Sequence, residues 1–175
     1  MRQYGTMYEG TILSEFAEKA KLGIIEIGVL NGETTNLISQ VAKVSIFGID
    51  PLIPDSMNPE LIGSASQIRE NMKKYPHGFY FFQRYSHDMA ARWTVEFDMI
   101  FVDGDHTYKG VKQDYEDWWP KLEVGGIMLF HDSAPVASED SSFKGHAGPT
   151  KLVNELKKTH ECIGVWDTIT GIKKI

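Results

Sequence analysis

Apolar residues along this chain fall into two rhythms. One consists of short, nearly unbroken runs closed off by glycine or polar residues: GIIEIGV at 23–29, SIFGID at 45–50, GFYFFQ at 78–83, FDMIFV at 97–102 and GGIMLFHDS at 125–133. Runs of this length and content suit strands buried on both faces of a sheet. The other rhythm is helical. Ile12, Phe16 and Ala20 share a face of 11–21, and Leu37, Ile38 and Val41 share a face of 31–43. The same periodicity predicts helices over 64–75 and 108–122, a helical turn at 89–93, and a helix over 149–160 that opens on Pro149. Pro51, Pro54 and Pro59 mark a loop after the second run, and 134–148 reads as a long polar loop, long enough to be a lid. ECIGVWDT and GIKKI close the chain as two strands separated by ITG.

Strand and helix alternate, which predicts parallel strands with helices packed on both faces. The last two strands are joined too tightly for a helical crossover, so one of them must run against the rest. The expectation is an α/β, Rossmann-like, doubly wound and mostly parallel seven-stranded sheet. It carries one antiparallel strand near the C-terminus and forms the centre of a three-layer α/β/α domain spanning 1–175.

Composition narrows the classes of partner. The 175 residues are 42% hydrophobic and 24% charged, with a formal net charge of −6 and no long basic run. Nothing advertises nucleic acid or an anionic membrane, and no apolar run is long enough to span a bilayer. Cys162 is the single cysteine. It excludes an internal disulfide, fits a reducing compartment, and is expected to be a small buried hydrophobe. The polar start, MRQYGTMYEG, lacks an apolar signal core. The expectation is a cytoplasmic protein.

Candidate chemistry begins where the first run ends, in EIGVLNGETT. Gly28 and Gly32 allow a tight turn and close approach to a ligand, and the following helix N-terminus offers free N–H groups. The Gly-x-x-x-Gly spacing does not suit a dinucleotide pyrophosphate. Glu26 lies inside the strand, and Asp50 ends the next one, where a carboxylate suits ribose hydroxyls. Glu26-x-Gly28-x-x-x-Gly32 with Asp50 resembles the class I S-adenosylmethionine (SAM) methyltransferases, and the order of elements is similar over nearly the whole chain. The resemblance implies that Gly28 and Gly32 form the loop against SAM, Glu26 supports it and Asp50 takes the ribose. Ser86, His87 and Asp88 stand where this family reads adenine, which puts Ser86 and Asp88 among the cofactor contacts.

The run FDMIFV stops at Asp103, Gly104, Asp105 and His106. Charges at the end of a buried strand need water, a partner or a ligand. Side chains ending adjacent strands about 4.8 Å apart can share one cation. The pattern resembles the metal-dependent small-molecule O-methyltransferases, including the catechol, caffeoyl-CoA and macrolide-sugar types. That resemblance implies Asp103, His131 and Asp132 as ligands of a divalent metal, with Asp103 facing the sulfonium methyl. A His in place of the usual acid makes Mn²⁺, Fe²⁺ or Zn²⁺ more plausible beside Mg²⁺. It also places His106, three residues after Asp103, where catechol-type enzymes carry a lysine general base. The implied activity is SAM-dependent, metal-assisted O-methylation of a small-molecule hydroxyl, with His106 and Asp103 catalytic.

Two other readings stay open. Asp103-Gly104-Asp105 fits the Asp-x-Asp motif of metal-dependent sugar-nucleotide transferases, although that motif leaves Glu26, Gly28, Gly32 and Asp50 unexplained. A non-catalytic SAM-fold subunit serving a partner is the third. Only about 20 residues precede the first strand, so the acceptor pocket is expected to be open or completed by a second copy in a homo-oligomer. Lys144 and His146 are candidate acceptor contacts, and Trp118 and Trp119 are expected to pack rather than bind.

Overall fold

The computed structural model describes residues 7–54, 58–135 and 143–175. Its strands are β1 (Ile24–Ile27), β2 (Ile46–Ile49), β3 (Phe79–Phe82), β4 (Met99–Val102), β5 (Ile127–Phe130), β6 (Glu161–Trp166) and β7 (Ile169–Lys173). The helices are α1 (Met7–Lys19), α2 (Glu33–Ser39), α3 (Ala65–Met72), α4 (Ser86–Ala90), α5 (Tyr108–Trp118) and α6 (Ala147–Leu156). The sheet order is β3-β2-β1-β4-β5-β7-β6. Strands β1 to β5 are parallel, and β7 runs antiparallel to both β5 and β6. This is the expected doubly wound sheet. The order reverses between β1 and β4, so a ligand crevice belongs at the carboxyl ends of those two strands.

Alternation along the central strands sorts the core into two layers. Ile25, Ile27, Ile100, Val102, Met128 and Phe130 pack with residues of α4, α5 and α6. Ile24, Met99, Phe101 and Leu129 pack on the other face with residues of α1, α2 and α3. Trp118 is fully buried in the first layer and Trp119 packs against it at the end of α5, so both tryptophans are structural. Burial of each large side chain contributes roughly 1.5–3 kcal/mol.

Three details differ from the pattern read in the sequence. The closing hairpin turns at Asp167 and Thr168 rather than at ITG, because Trp166 pairs directly with Ile169 and Asp167 takes a left-handed backbone with φ +53°. Cys162 is exposed, on β6, the outer strand of the sheet. The loop expected at 134–148 is described only at its ends, since 136–142 lie outside the described residues, and α6 begins at Ala147, two residues before Pro149. No helix among the described residues is long and apolar enough to cross a membrane.

Candidate active site

β1 ends in a loop folded onto its neighbours. Gly28 has φ +84°, and a Cβ there would lie 2.0 Å from the carbonyl oxygen of Asp103. The close approach that demands glycine is therefore to the β4 backbone itself. Gly32, φ +78°, is the N-cap of α2. Asp50 pins this loop: Oδ2 accepts from Val29 N and Leu30 N, each at 2.8 Å, and Oδ1 accepts from Leu52 N at 2.6 Å. A carboxylate offers about four lone-pair sites. Three backbone donors thus occupy most of the capacity expected for a ribose, and Asp50 acts first as the strut of the glycine loop.

Glu26 points to the α2 side of the sheet and is 1% exposed. Its Oε2 accepts from Thr35 Oγ1. Burial pushes its carboxyl up to about 8, opposed by the Thr35 hydrogen bond and assisted by the Asp103 and Asp50 charges. The free protein therefore keeps this group protonated at neutral pH. An unfolded chain loses that proton near the ordinary glutamate value of 4.5. Between those two values the unfolded state binds fewer protons, so this group's contribution to stability is full at low pH and is lost as pH rises. Glu26→Gln is expected to remove that slope. It should stabilise the ligand-free protein by a few kcal/mol at pH 8, with little effect at pH 4.5. Chemical denaturation of both proteins at the two pH values checks this, and parallel pH profiles would contradict it.

The carboxyl ends of β4 and β5 carry the polar cluster. Val102 pairs with Phe130, so the next residues, Asp103 and His131, are neighbours. His131 Nδ1 lies 2.8 Å from Asp103 Oδ1. Asp132 breaks the strand alternation with φ +48°, and its Oδ1 lies 3.7 Å from His131 Nδ1. His106 Nε2 stands 3.4 Å from both Asp103 Oδ1 and Asp132 Oδ2, yet it is buried and makes no hydrogen bond. One ligand atom from each of Asp103, His106, His131 and Asp132 falls within 4.8 Å of the others. The structure thus brings the expected ligands together and adds His106 to them.

Charge in the cluster is mutually sustained. Burial disfavours ionised Asp103, but the His131 and His106 imidazoles outweigh it and hold that carboxyl below the usual range. Burial likewise opposes charge on His131, and the Asp103 carboxylate raises its pKa well above the ordinary imidazole value. His106 is raised in the same way by Asp103 and Asp132 against the opposing effect of burial.

Asp105 takes a different course. Its Oδ1 accepts from Thr107 N at 2.8 Å and its Oδ2 from Thr107 Oγ1 at 3.0 Å, while Thr107 caps α5 by accepting from Gly110 N. Asp105 shapes the turn that delivers His106 and does not join Asp103 in the cluster. His146, the N-cap of α6, does reach it. Its backbone N donates to Asp132 O, its Nε2 lies 3.4 Å from Asp132 Oδ2, and its ring centroid lies 4.6 Å from that of His106.

One cavity of about 740 Å³ takes in Glu26, Gly28, Asp50, Asp103, His106 and Asp132, within the usual range for small-ligand sites. Tyr85, Ser86 and His87 line it as well, but Asp88 does not. Two steps along α4 turn a side chain by about 200°, which carries Asp88 outward, where it pairs with His87 at 3.5 Å. Of the residues expected near the cofactor here, Ser86 and His87 thus face the cavity and Asp88 does not. Ser86 Oγ donates instead to Asp114 Oδ1, a residue absent from the sequence expectations. Asp114 is buried in the cavity wall, and burial pushes its carboxyl up to about 7. It occupies a core-facing slot of α5 beside Val111 and Trp118. Glu9 occupies such a slot in α1 beside Ile12, Leu13 and Ala17. A carboxylate inside an apolar stripe was the available signal for both.

Comparison with known proteins agrees with this architecture. A family model described as a methyltransferase domain matches residues 25–133. An uncharacterised protein of Acanthamoeba polyphaga mimivirus is 30% identical over 129 residues, which are 69% of this chain and 55% of the viral protein. The chain thus spans about half the length of that relative. Among solved structures, the O-methyltransferase NovP aligns with a TM-score of 0.74 at 16% identity, over 96% of this chain and 80% of NovP. The O-methyltransferase TomG of Streptomyces achromogenes, solved with SAM, aligns at 0.68 and 15% identity over 98% and 82% of the two chains. A Bacillus cereus O-methyltransferase, solved with S-adenosylhomocysteine, aligns at 0.68 and 14% over 99% and 84%. These structural likenesses establish a shared Rossmann-like methyltransferase fold, and the family match covers the glycine loop and both strand ends that build the polar cluster. The chain belongs to the methyltransferase-domain family.

Proposed function

We propose that residues 1–175 form one methyltransferase domain that transfers the methyl group of SAM to a hydroxyl oxygen of a small molecule, assisted by a divalent metal ion. The observation that carries this reading is the single cavity joining the glycine loop to the Asp-His cluster. One part has the features of a SAM site, and the other offers what an acceptor hydroxyl needs. A buried acid such as Glu26 costs stability in the free protein, and a bound cationic amine, which SAM carries, favours its ionised form. Asp50 and Gly28 hold the loop, and Ser86 and His87 face the space left for the base.

The cluster also fits a metal ion. His106 Nε2 is a buried polar atom without a hydrogen-bond partner, and such atoms ask for an occupant. The donor set of one imidazole, from His131, and two carboxylates, from Asp103 and Asp132, suits Mn²⁺, Fe²⁺ or Zn²⁺ better than Mg²⁺. Asp103, His131 and Asp132 would hold the ion, and His106 would take the acceptor proton. An ion held there lowers the pKa of a bound hydroxyl. In the transfer the acceptor O–H proton passes to His106 Nε2. The oxygen forms a bond to the methyl carbon as the carbon–sulfur bond breaks, and the sulfonium becomes a neutral thioether. Positioning of the two reactants supplies much of the rate. The net charge of −6 and a cavity of about 740 Å³ favour a small acceptor over nucleic acid.

Calorimetry with SAM and with a UDP-sugar, followed by transfer of labelled methyl from SAM to a panel of hydroxyl compounds with Mn²⁺, tests the proposal. SAM binding and methyl transfer are expected. UDP-sugar binding without SAM binding would move the chain to the transferase reading. SAM binding with no transfer to any acceptor would favour the non-catalytic one.

A further inference from the structure

The polar cluster does not end at the strand tips. Beyond His131, on the side away from Asp103, stands the carboxylate of Glu9. It comes from α1, more than 120 residues earlier in the chain. Glu9 is only 3% exposed, and Glu is almost never so buried without a partner. Its Oε1 accepts from the backbone N of Thr168 at 3.2 Å and from Thr168 Oγ1. Thr168 lies in the turn between β6 and β7, whose carbonyl also receives Ser133 N at 2.8 Å, two residues after His131. Glu9 is thereby fixed against the end of β5. The same Oε1 faces His131 Nε2 at 3.7 Å, while His131 Nδ1 faces Asp103 at 2.8 Å. The ring is held between two carboxylates, one at each nitrogen, and its edge packs on Phe101 with centroids 5.7 Å apart.

We propose that Glu9 is a positioning residue for the metal site: clamped by Thr168, it fixes the proton of His131 on Nε2 and turns Nδ1 toward the space shared with Asp103 and Asp132. A ligating imidazole commonly gives its second N–H to a carboxylate, which orients the ring and raises the basicity of the ligating nitrogen. Here the carboxylate facing that nitrogen comes from the first helix, at an ion-pair distance of 3.7 Å, which ties the docking of α1 to the quality of the site. The inference rests on the metal reading above and goes beyond it in assigning a role to a residue outside the strand ends.

The test compares wild type, Glu9→Gln and Glu9→Asp. Gln keeps an oxygen for Thr168 but removes the charge facing His131. Asp keeps the charge but withdraws it by one methylene. Calorimetric titration with Mn²⁺ is expected to show about 10–100-fold weaker binding in Glu9→Gln and an intermediate loss in Glu9→Asp. The visible absorption of bound Co²⁺ should shift in Glu9→Gln, and SAM affinity should stay within about twofold in both variants. If Glu9→Gln fails to fold, Glu9→Asp decides on the same readouts. Wild-type Mn²⁺ affinity and an unchanged Co²⁺ spectrum in the folded variants, even with a lowered melting temperature, would reduce Glu9 to a tertiary strut and overturn the inference alone. A wild-type protein that binds neither Mn²⁺ nor Co²⁺ would overturn the metal reading and this inference with it.

Discussion

Replacing His106 by Gln is expected to lower the single-turnover rate of methyl transfer by about 10²–10⁴, the usual worth of a general base. Gln has similar reach and remains polar, but it accepts no proton at neutral pH. The expectation rests on the Nε2 atom, which is buried, unbonded, and 3.4 Å from the carboxylate oxygens of both Asp103 and Asp132. That atom sits at the junction of the two strand ends, where an acceptor hydroxyl would enter. SAM affinity should barely move, because the glycine loop and Asp50 are untouched. A purely structural His106 makes the opposite forecast, with a lower melting temperature and normal turnover per folded molecule. Near-normal turnover in the variant would take His106 out of the proton transfer. If Mn²⁺ binding fell sharply with the rate, His106 would instead be a fourth ligand, a role its place in the cluster also permits.

Asp103→Asn is expected to abolish measurable Mn²⁺ binding while leaving SAM affinity within about tenfold, or roughly 1.4 kcal/mol. Asp103 is the hub of the cluster, since its Oδ1 faces both His131 Nδ1 and His106 Nε2. Removing its charge takes away one ligand and also leaves the half-buried His131 without its nearest counter-charge. With Asp103 26% and His131 15% exposed, the loss falls below the roughly 3–5 kcal/mol of a fully buried pair, but the metal-free variant should still melt at a lower temperature near neutral pH. The sign follows from the lowered Asp103 pKa. A depressed carboxyl stabilises the fold above its unfolded pKa and loses that effect as the solution is acidified. The gap between wild type and variant should therefore narrow toward acid pH. Retained Mn²⁺ affinity would remove Asp103 from the ligand set, and an equal stability gap at pH 3 and pH 7 would contradict the charge-pair account.

The glycine loop shows that a motif residue can be required by the fold as well as by a ligand. Glu26, Gly28, Gly32 and Asp50 all line or shape one cavity, as the spacing suggested. The demand for glycine at 28 nevertheless comes from the Asp103 carbonyl 2.0 Å from a would-be Cβ, and Asp50 spends three of its acceptor sites on backbone N–H groups. Spacing reports that a small residue or an acid is needed at a position. It does not report which partner creates the need.

By itself the sequence determined the strands, most of the helices and a mostly parallel sheet with one reversed strand near the C-terminus. Short apolar runs and helical stripes are local signals, and burial on one or two faces writes them directly into neighbouring positions. It also determined that Asp103, His131 and Asp132 lie at strand ends, and adjacency of β4 and β5 then made them neighbours. Only the tertiary structure decided the rest. Glu9 and His131 approach within 3.7 Å across more than 120 residues. Ser86 finds Asp114, His146 returns to Asp132 from 14 positions further along the chain, and Asp88 turns away while His87 turns in. Each of these depends on the rotation of a helix about its axis or on where a loop re-enters. Those quantities are set by the sum of many weak packing contacts, and no short window of sequence contains that sum.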